Sequence, residues 1–223
     1  HTRYWRDRSS DVCSSDLMEQ AWVTIIIIGL TSWISYEGIR QDNWCDQYLY
    51  KPYDIAHGRS SFGIISHSWF HADYQHLIFN MLSLYMLGSE LEKTWEDDYG
   101  FEKGIFLYLV LYLFGGIAAT VIPFFRHRNN PGYRSLGASG AVSAVVFATI
   151  LWYPNMQLFI LFIPIPIPAY LFGPLYLLFE FYAMKRGNTG IANDGHISGA
   201  LFGILFVLLL STSKASEFLS NFM

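Results

Sequence analysis

The sequence predicts an all-α, single-domain protein that crosses a membrane several times. Charged residues make up only 14% of the 223-residue chain, against about 25% in soluble domains. They cluster in short stretches, and residues 104–125, 135–179 and 195–213 contain no Asp, Glu, Lys or Arg. An uncharged stretch of about 18 residues is long enough to span a bilayer as a helix. The net charge of -4 excludes a strongly basic nucleic-acid-binding protein.

The first 17 residues stand apart from this pattern. The segment HTRYWRDRSSDVCSSDL has no apolar periodicity and no signal-peptide layout, and it resembles the translation of a short-read sequencing adapter. Fusion remnants are excluded from fold reasoning, so residues 18–223 are taken as one membrane domain. A polar, disordered N-terminal tail is the alternative. With Cys13 set aside, Cys45 has no partner for an internal disulfide, and no thiol mechanism is indicated.

Apolar runs predict six membrane-spanning helices. We place them at about 20–37, 74–91, 103–124, 138–153, 165–184 and 195–213. The uncharged block 135–179 is too long for one span, and Pro154 divides it because proline breaks a helix and restricts the preceding residue. The run IPIPIP at 163–168 predicts an irregular entry into the fifth helix.

Polar side chains inside these helices are the candidates for function, because ionisable groups in a membrane are costly. His76 lies in the second predicted helix and His196 at the start of the sixth. Asn80 follows His76 by four residues, so the two share a helix face. His67 and His71 precede them at helical spacing. A metal site formed by His67, His71 and His76 is an alternative, although no carboxylate or cysteine clearly completes it.

Small residues open the fourth helix and line the sixth. The fourth begins with GASG at 137–140, and Gly199 and Gly203 are four residues apart in the sixth. Such faces let two helix backbones come close, although they often serve packing alone. Close packing here would bring Ser139 near His196, as a Ser–His pair needs a separation of about 2.6–3.2 Å.

The combination resembles the rhomboid family of intramembrane serine proteases. The matching segments are HADYQHLIFNMLSLYMLG, GASGA and GHISGALFG in the second, fourth and sixth predicted helices. The resemblance implies a six-helix bundle, a Ser–His dyad with no third carboxylate, and cleavage of transmembrane protein substrates. It also implies cytoplasmic termini and a site that opens on the outer side. The distribution of Lys and Arg favours the opposite orientation by the positive-inside rule, and we follow the resemblance.

The resemblance gives each candidate residue a role. Ser139 attacks the scissile carbonyl, and His196 takes its proton and returns it to the leaving amine. The oxyanion is held by the side chains of His76 and Asn80 and by the Ser139 backbone N–H, at about 2.7–4 kcal/mol each. Structural support is expected from Gly137, Gly140, Gly199, Gly203 and His71.

Two positions depart from patterns common in that family. Phe62-Gly63 stand where a Trp-Arg pair is often found, and Ser143 stands where a tyrosine often stacks on the catalytic histidine. The second departure leaves the orientation of His196 unexplained, and Asp194 is near it only in sequence. Glu92, at the inner end of the second predicted helix, is expected to cap or bridge helices rather than to act in catalysis.

Two other functions stay open. A non-proteolytic rhomboid-like protein that binds membrane clients would keep the fold and lose the dyad. A small transporter or channel would show intramembrane carboxylates and often repeats, and Glu180 is the nearest such carboxylate. The expected partners are transmembrane protein substrates and the lipid bilayer, with no nucleic acid and no metal, nucleotide or redox cofactor. The expected location is the inner membrane of a bacterium.

Overall fold

The computed structural model describes residues 20–41, 46–160, 163–187 and 190–223. The predictions made for residues 1–17, for a start at Met18 and for Cys45 therefore lie outside the described part of the chain. Where described, the chain is helical except for loops and one two-stranded hairpin.

The helices follow one another with short connections. They are α1 (Trp22–Arg40), α2 (Pro52–Ala56), α3 (Gly63–Ser66), α4 (Tyr74–Ser83), α5 (Ser89–Tyr99), α6 (Phe101–Ala118), α7 (Val121–His127), α8 (Ser139–Trp152), α9 (Ala169–Arg186), α10 (Asn193–Leu210) and α11 (Thr212–Ser220). Two 3₁₀ turns lie at Asp46–Tyr48 and His67–Trp69. A π-helical segment, Leu84–Gly88, joins α4 to α5, so these three segments form one continuous helix.

Part of the predicted set of membrane spans meets the length and hydropathy of a bilayer-crossing helix. Within the described ranges, three helical stretches are long and apolar enough to cross a bilayer: α1, the combined stretch Phe101–His127, and α10. Helix α8 is apolar but has only 14 residues. The predicted count of six spans is thus not confirmed. The predicted second helix continues through α5 to Tyr99, well past residue 91, and its last part is acidic.

The entry to the fifth predicted helix is a β-hairpin rather than irregular chain. Strands β1 (Gln157–Ile160) and β2 (Ile163–Pro168) pair antiparallel, with Leu158 opposite Ile167. Prolines at every second position of β2 fix φ and remove N–H groups, which prevents a helix there. The N–H groups between them still allow pairing along one edge. Helix α9 therefore begins at Ala169, four residues later than predicted.

Helix α8 forms the centre of the molecule. Twelve of its 14 residues are buried, and α6, α9 and α10 pack around it. The closest contact is with α10, because a Cβ on Gly199 would collide with the carbonyl group of Gly140, and a Cβ on Gly203 with that of Ala144. The predicted small-residue faces are thus in direct backbone contact, as small residues permit.

The outward faces of the long helices are apolar. Large exposed side chains include Trp33 on α1, Phe106 on α6, Phe179 on α9 and Leu209 on α10. Apolar patches of this extent mark contact with lipid or another apolar partner. This surface and the three long apolar helices indicate a membrane protein.

Glu92 connects the continuous helix formed by α4, Leu84–Gly88 and α5, called the α4–α5 rod below, to the start of α1. Its Oε1 accepts from the N–H of Val23 at 2.8 Å, and its Oε2 accepts from the N–H of Thr24 at 2.7 Å. No side chain at the N-cap position, Ala21, performs this task. The fully buried carboxylate thus accepts from two of the N–H groups of α1 that have no partner within the helix. Its negative charge also interacts favourably with the positive N-terminal end of the helix dipole. The predicted capping role of Glu92 is confirmed.

Candidate active site

The segment that leads into α8 is held by backbone contacts. Ser135 and Tyr50 exchange two backbone hydrogen bonds, and the N–H of Gly137 donates to the carbonyl of His67 at 2.9 Å. Gly137 has φ +131°, and a Cβ there would lie 2.5 Å from Cε1 of His76. Only glycine fits this position without strain. The ring of His76 therefore lies directly against the backbone that precedes Ser139.

His71 is part of a hydrogen-bonded chain to the same segment. The N–H of Ala138 donates to Nε2 of His71 at 3.2 Å, and Nδ1 lies 2.8 Å from Oγ of Ser35. Since Nε2 accepts, the neutral ring carries its proton on Nδ1. Ser35 in turn donates to the carbonyl of Trp69 at 3.0 Å. Burial, with a smaller effect of neighbouring His76, lowers the pKa of His71 to about 3 and keeps the ring neutral.

His76 and Asn80 lie on consecutive turns of α4. The carboxylate of Asp73 caps this helix by accepting from the N–H of His76 at 2.7 Å. The rings of His76 and His71 meet edge to face, with centroids 4.9 Å apart. Asn80 is buried, and its Nδ2 has no hydrogen-bond partner among the described residues. A buried, unpaired donor is costly and rare in proteins, so it calls for a functional explanation.

Ser139 and His196 lie at the same level of two touching helices. Ser139 precedes Gly140 at the start of α8, and His196 lies three residues before Gly199, which rests on the Gly140 carbonyl. Ser139 and Gly195 line one small cavity of about 20 Å³. The ring of His76 lies against Gly137, two residues before Ser139. The structure therefore brings His76 and the start of α10, which carries His196, to the end of α8 where Ser139 lies, and Asn80 follows His76 by one turn of α4.

His196 contacts a carboxylate that the sequence analysis did not assign to the site. Its Nδ1 lies 3.0 Å from Oε1 of Glu180 on α9. The other carboxylate oxygen, Oε2, accepts from Nδ2 of Asn193 at 2.6 Å. The expectation of a histidine without a carboxylate partner is therefore wrong for this geometry. The sequence indicates Glu180 only as a possible proton-path residue, because its 16-residue separation from His196 gives no helical spacing signal.

Asp194 faces away from His196. Its carboxylate lies 2.9 Å from Nε2 of His127 and accepts from the hydroxyl of Tyr133 at 3.1 Å, while Arg126 lies 3.4 Å away. The rings of His127 and Tyr133 stack at 3.8 Å. Burial and the neighbouring Asp194 raise the pKa of Tyr133. This cluster ties the loop after α7 to the start of α10.

The alternative of a metal site at three histidines has no support in this arrangement. Within the ranges that the structure describes, no group of three His, Cys, Asp or Glu side chains could hold a metal ion. Nδ1 of His67 donates to the carbonyl of Gly63 at 2.8 Å. Burial lowers the pKa of His67 to about 4. Nε2 of His71 is occupied by the Ala138 N–H.

The fold and this cluster define a helical membrane protein whose polar groups gather at one end of a central buried helix. A family model described as "Rhomboid domain" matches residues 59–213, which is more than half of the chain. The chain therefore belongs to the rhomboid family, as the sequence motifs indicated.

Three relatives support the family membership. The chain is 27% identical over 152 residues to "RHOMBOID-like protein 12, mitochondrial" of Arabidopsis thaliana, an alignment that covers 61% of this chain and 43% of the relative. It is 26% identical over 207 residues to "Rhomboid-like protein 11, chloroplastic" of the same plant, with 85% and 64% covered. It is 25% identical over 153 residues to "Rhomboid protease AarA" of Providencia stuartii, with 60% and 50% covered.

The relatives limit what can be carried over. The chain spans between 43% and 64% of the length of these three proteins. One is named a protease, and the two plant proteins are named for organelles. The expected location in a bacterial inner membrane is therefore not supported by these relatives, whereas a location in a membrane is.

Proposed function

We propose that the protein is an intramembrane serine endopeptidase that cleaves transmembrane protein substrates, with Ser139 as nucleophile and His196 as base. The observation that carries the proposal is the contact of α8 with α10, which sets these two residues at one level. Family membership and a relative named as a protease support it. We also propose that the α4–α5 rod, α8 and α9 cross the membrane beside the three long helices, giving six spans.

The first chemical step follows from the state of His196. Its Nδ1 is occupied by Glu180, so Nε2 is left to accept the proton of Ser139. The serine oxygen then attacks the scissile carbonyl and forms a tetrahedral oxyanion. His196 gives the proton to the leaving amine, and water hydrolyses the acyl-enzyme in a second, equivalent cycle.

Three donors are available for the oxyanion. The backbone N–H of Ser139 stands in the first turn of α8, where N–H groups have no acceptor within the helix. Nδ2 of Asn80 is buried and unpaired among the described residues. The ring of His76 lies against Gly137, two residues before Ser139. The positive end of the α8 dipole acts in the same direction. Each such donor is worth about 2.7–4 kcal/mol in the transition state.

The test is cleavage of a purified transmembrane substrate in detergent and in liposomes. Ser139→Ala and His196→Ala should each lower the rate by at least about 10³-fold, because the pair acts as a unit. Ser213→Ala and His57→Ala are matched controls, since both side chains are exposed and far in sequence from the site, and should leave the rate unchanged. If the folded wild-type protein cleaves none of several transmembrane substrates, the proposal is refuted and the client-binding function is favoured.

A further inference from the structure

We propose that Glu180 is the positioning residue of His196, so that the site is a Ser139–His196–Glu180 triad within the membrane. This inference rests on the proposed protease function. It departs from the dyad that the sequence motifs imply, and it rests on one contact, the 3.0 Å separation of His196 Nδ1 and Glu180 Oε1.

The contact is sheltered from water. The side chains of Glu180 and His196 are only 5% and 12% exposed. A charge-assisted hydrogen bond in such surroundings is stronger than the same bond in water. The contact also joins two helices, α9 and α10, whose relative position decides where the imidazole ring stands.

The contact fixes which ring nitrogen is protonated. An ionised carboxylate can only accept, so Nδ1 must donate to Glu180. The proton is then absent from Nε2, which is free to accept from Ser139. This is the tautomer that a general base for a serine nucleophile needs.

Glu180 is itself held in place by neighbouring residues. Asn193 donates to its second oxygen at 2.6 Å. Tyr176 lies one turn earlier than Glu180 on α9. Ser143 stands where a stacking tyrosine was expected, and a serine has no ring to orient His196. The Glu180 carboxylate, held by Asn193, supplies that orientation.

Other charged groups near His196 do not replace Glu180. His76 approaches it from α4 and carries no negative charge. Asp194, two residues away on α10, is engaged by His127, Tyr133 and Arg126. Among the described residues, Glu180 is thus the carboxylate that bonds the histidine.

Glu180→Gln is the most informative variant, because the hydrogen bond from Asn193 fixes the orientation of the new side-chain amide. Asn193 Nδ2 needs an acceptor, so the glutamine oxygen should turn to Asn193 and its NH₂ to His196. Nδ1 must then accept, and the ring proton moves to Nε2, where it blocks proton transfer from Ser139. We expect kcat to fall by about 10²–10⁴-fold with KM changed less than about twofold.

Two further variants complete the kinetic test. Glu180→Asp keeps the carboxylate and should recover part of the lost kcat. Glu102→Gln removes an exposed carboxylate at the start of α6 and should leave kcat unchanged. A Glu180→Gln protein that folds and keeps kcat within about twofold of wild type would overturn the proposal.

A second readout does not depend on cleavage. ¹⁵N NMR of labelled histidine, assigned by loss of the signal in His196→Ala, reports which nitrogen of His196 is protonated. Wild type should show a proton on Nδ1, and Glu180→Gln a proton on Nε2. A wild-type ring protonated on Nε2 would refute the inference even if Glu180→Gln does not fold. The expected tautomers in a protein that cleaves nothing would instead refute the protease function alone.

Discussion

The contact between α8 and α10 predicts a large difference between two glycine substitutions. In Gly199→Ala the new Cβ would lie 2.8 Å from the carbonyl carbon and 3.2 Å from Cα of Gly140. These are backbone atoms, which cannot turn aside as a flexible side chain could. In Gly29→Ala, within α1, the new Cβ would meet no atom within 4 Å.

The size of the effect follows from these distances. Carbon atoms in ordinary contact lie about 3.5 Å apart, so the helices must separate by at least roughly 0.7 Å at Gly199, starting from 2.8 Å to the carbonyl carbon, and the carbonyl oxygen lies closer still. Overpacking of this kind costs about 1–3 kcal/mol, and the gain in helix propensity from Gly to Ala returns up to about 1 kcal/mol. We expect a net loss of about 1–2 kcal/mol. Gly29→Ala lacks the clash and should be neutral or slightly stabilising.

Activity should fall more steeply than stability. Ser139 and His196 are carried by the two helices that are forced apart, and a misplacement of about 1 Å costs roughly 10²-fold in rate. Thermal unfolding in detergent should show a melting temperature lower by about 2–8 °C for Gly199→Ala. Cleavage should fall by about tenfold or more. If Gly199→Ala matched Gly29→Ala in both assays, the inference of direct backbone contact would be refuted.

Two further predictions concern stability. Glu92→Ala should lower the free energy of unfolding by about 2 kcal/mol or more, because two N–H groups of α1 lose their acceptor. Chemical unfolding measures this loss, with Glu90→Ala at an exposed site as the control. Equal stability of the two variants would contradict the prediction. The buried rings of His67 and His71, with pKa values of about 4 and about 3, should make the protein less stable in acid. The unfolded chain takes up these protons near pH 6.5 and the folded protein does not, so each ring removes about 1.4 kcal/mol per pH unit below that point. Unfolding at pH 7.5 and 5.5 tests this, and a stability that is unchanged or higher at pH 5.5 would contradict it.

The sequence predicted the features that depend on local pattern. GASG at 137–140 and the four-residue spacing of Gly199 and Gly203 indicated two small faces, and those faces touch in the structure. The position of Glu92 at the end of an apolar helix indicated a cap, which the structure also has. Both inferences needed only helix periodicity and the chemistry of a single side chain.

Features that depend on tertiary arrangement were missed. The partner of His196 lies on the preceding helix, and the packing of α9 against α10, not any periodicity, sets Glu180 against the ring. The hairpin at residues 157–168 was missed because alternating prolines are rare in strands. The short length of α8 also depends on tertiary arrangement. Helix α8 is enclosed by other helices over most of its length, so lipid does not require it to be long.

The π-helical segment Leu84–Gly88 sets the rotational phase between the two ends of its rod. Asn80 and Glu92 are twelve residues apart, which in a regular α-helix turns the side chains about 120° from each other. A π bulge absorbs one residue and brings them back to within roughly 20° of one face. A regular α-helix through this segment, with the same number of residues, would turn the acidic end by about 100°. Either the Glu92 cap of α1 or the present position of Asn80 would then be lost, so the extra residue of the π bulge keeps both ends of this helix in register.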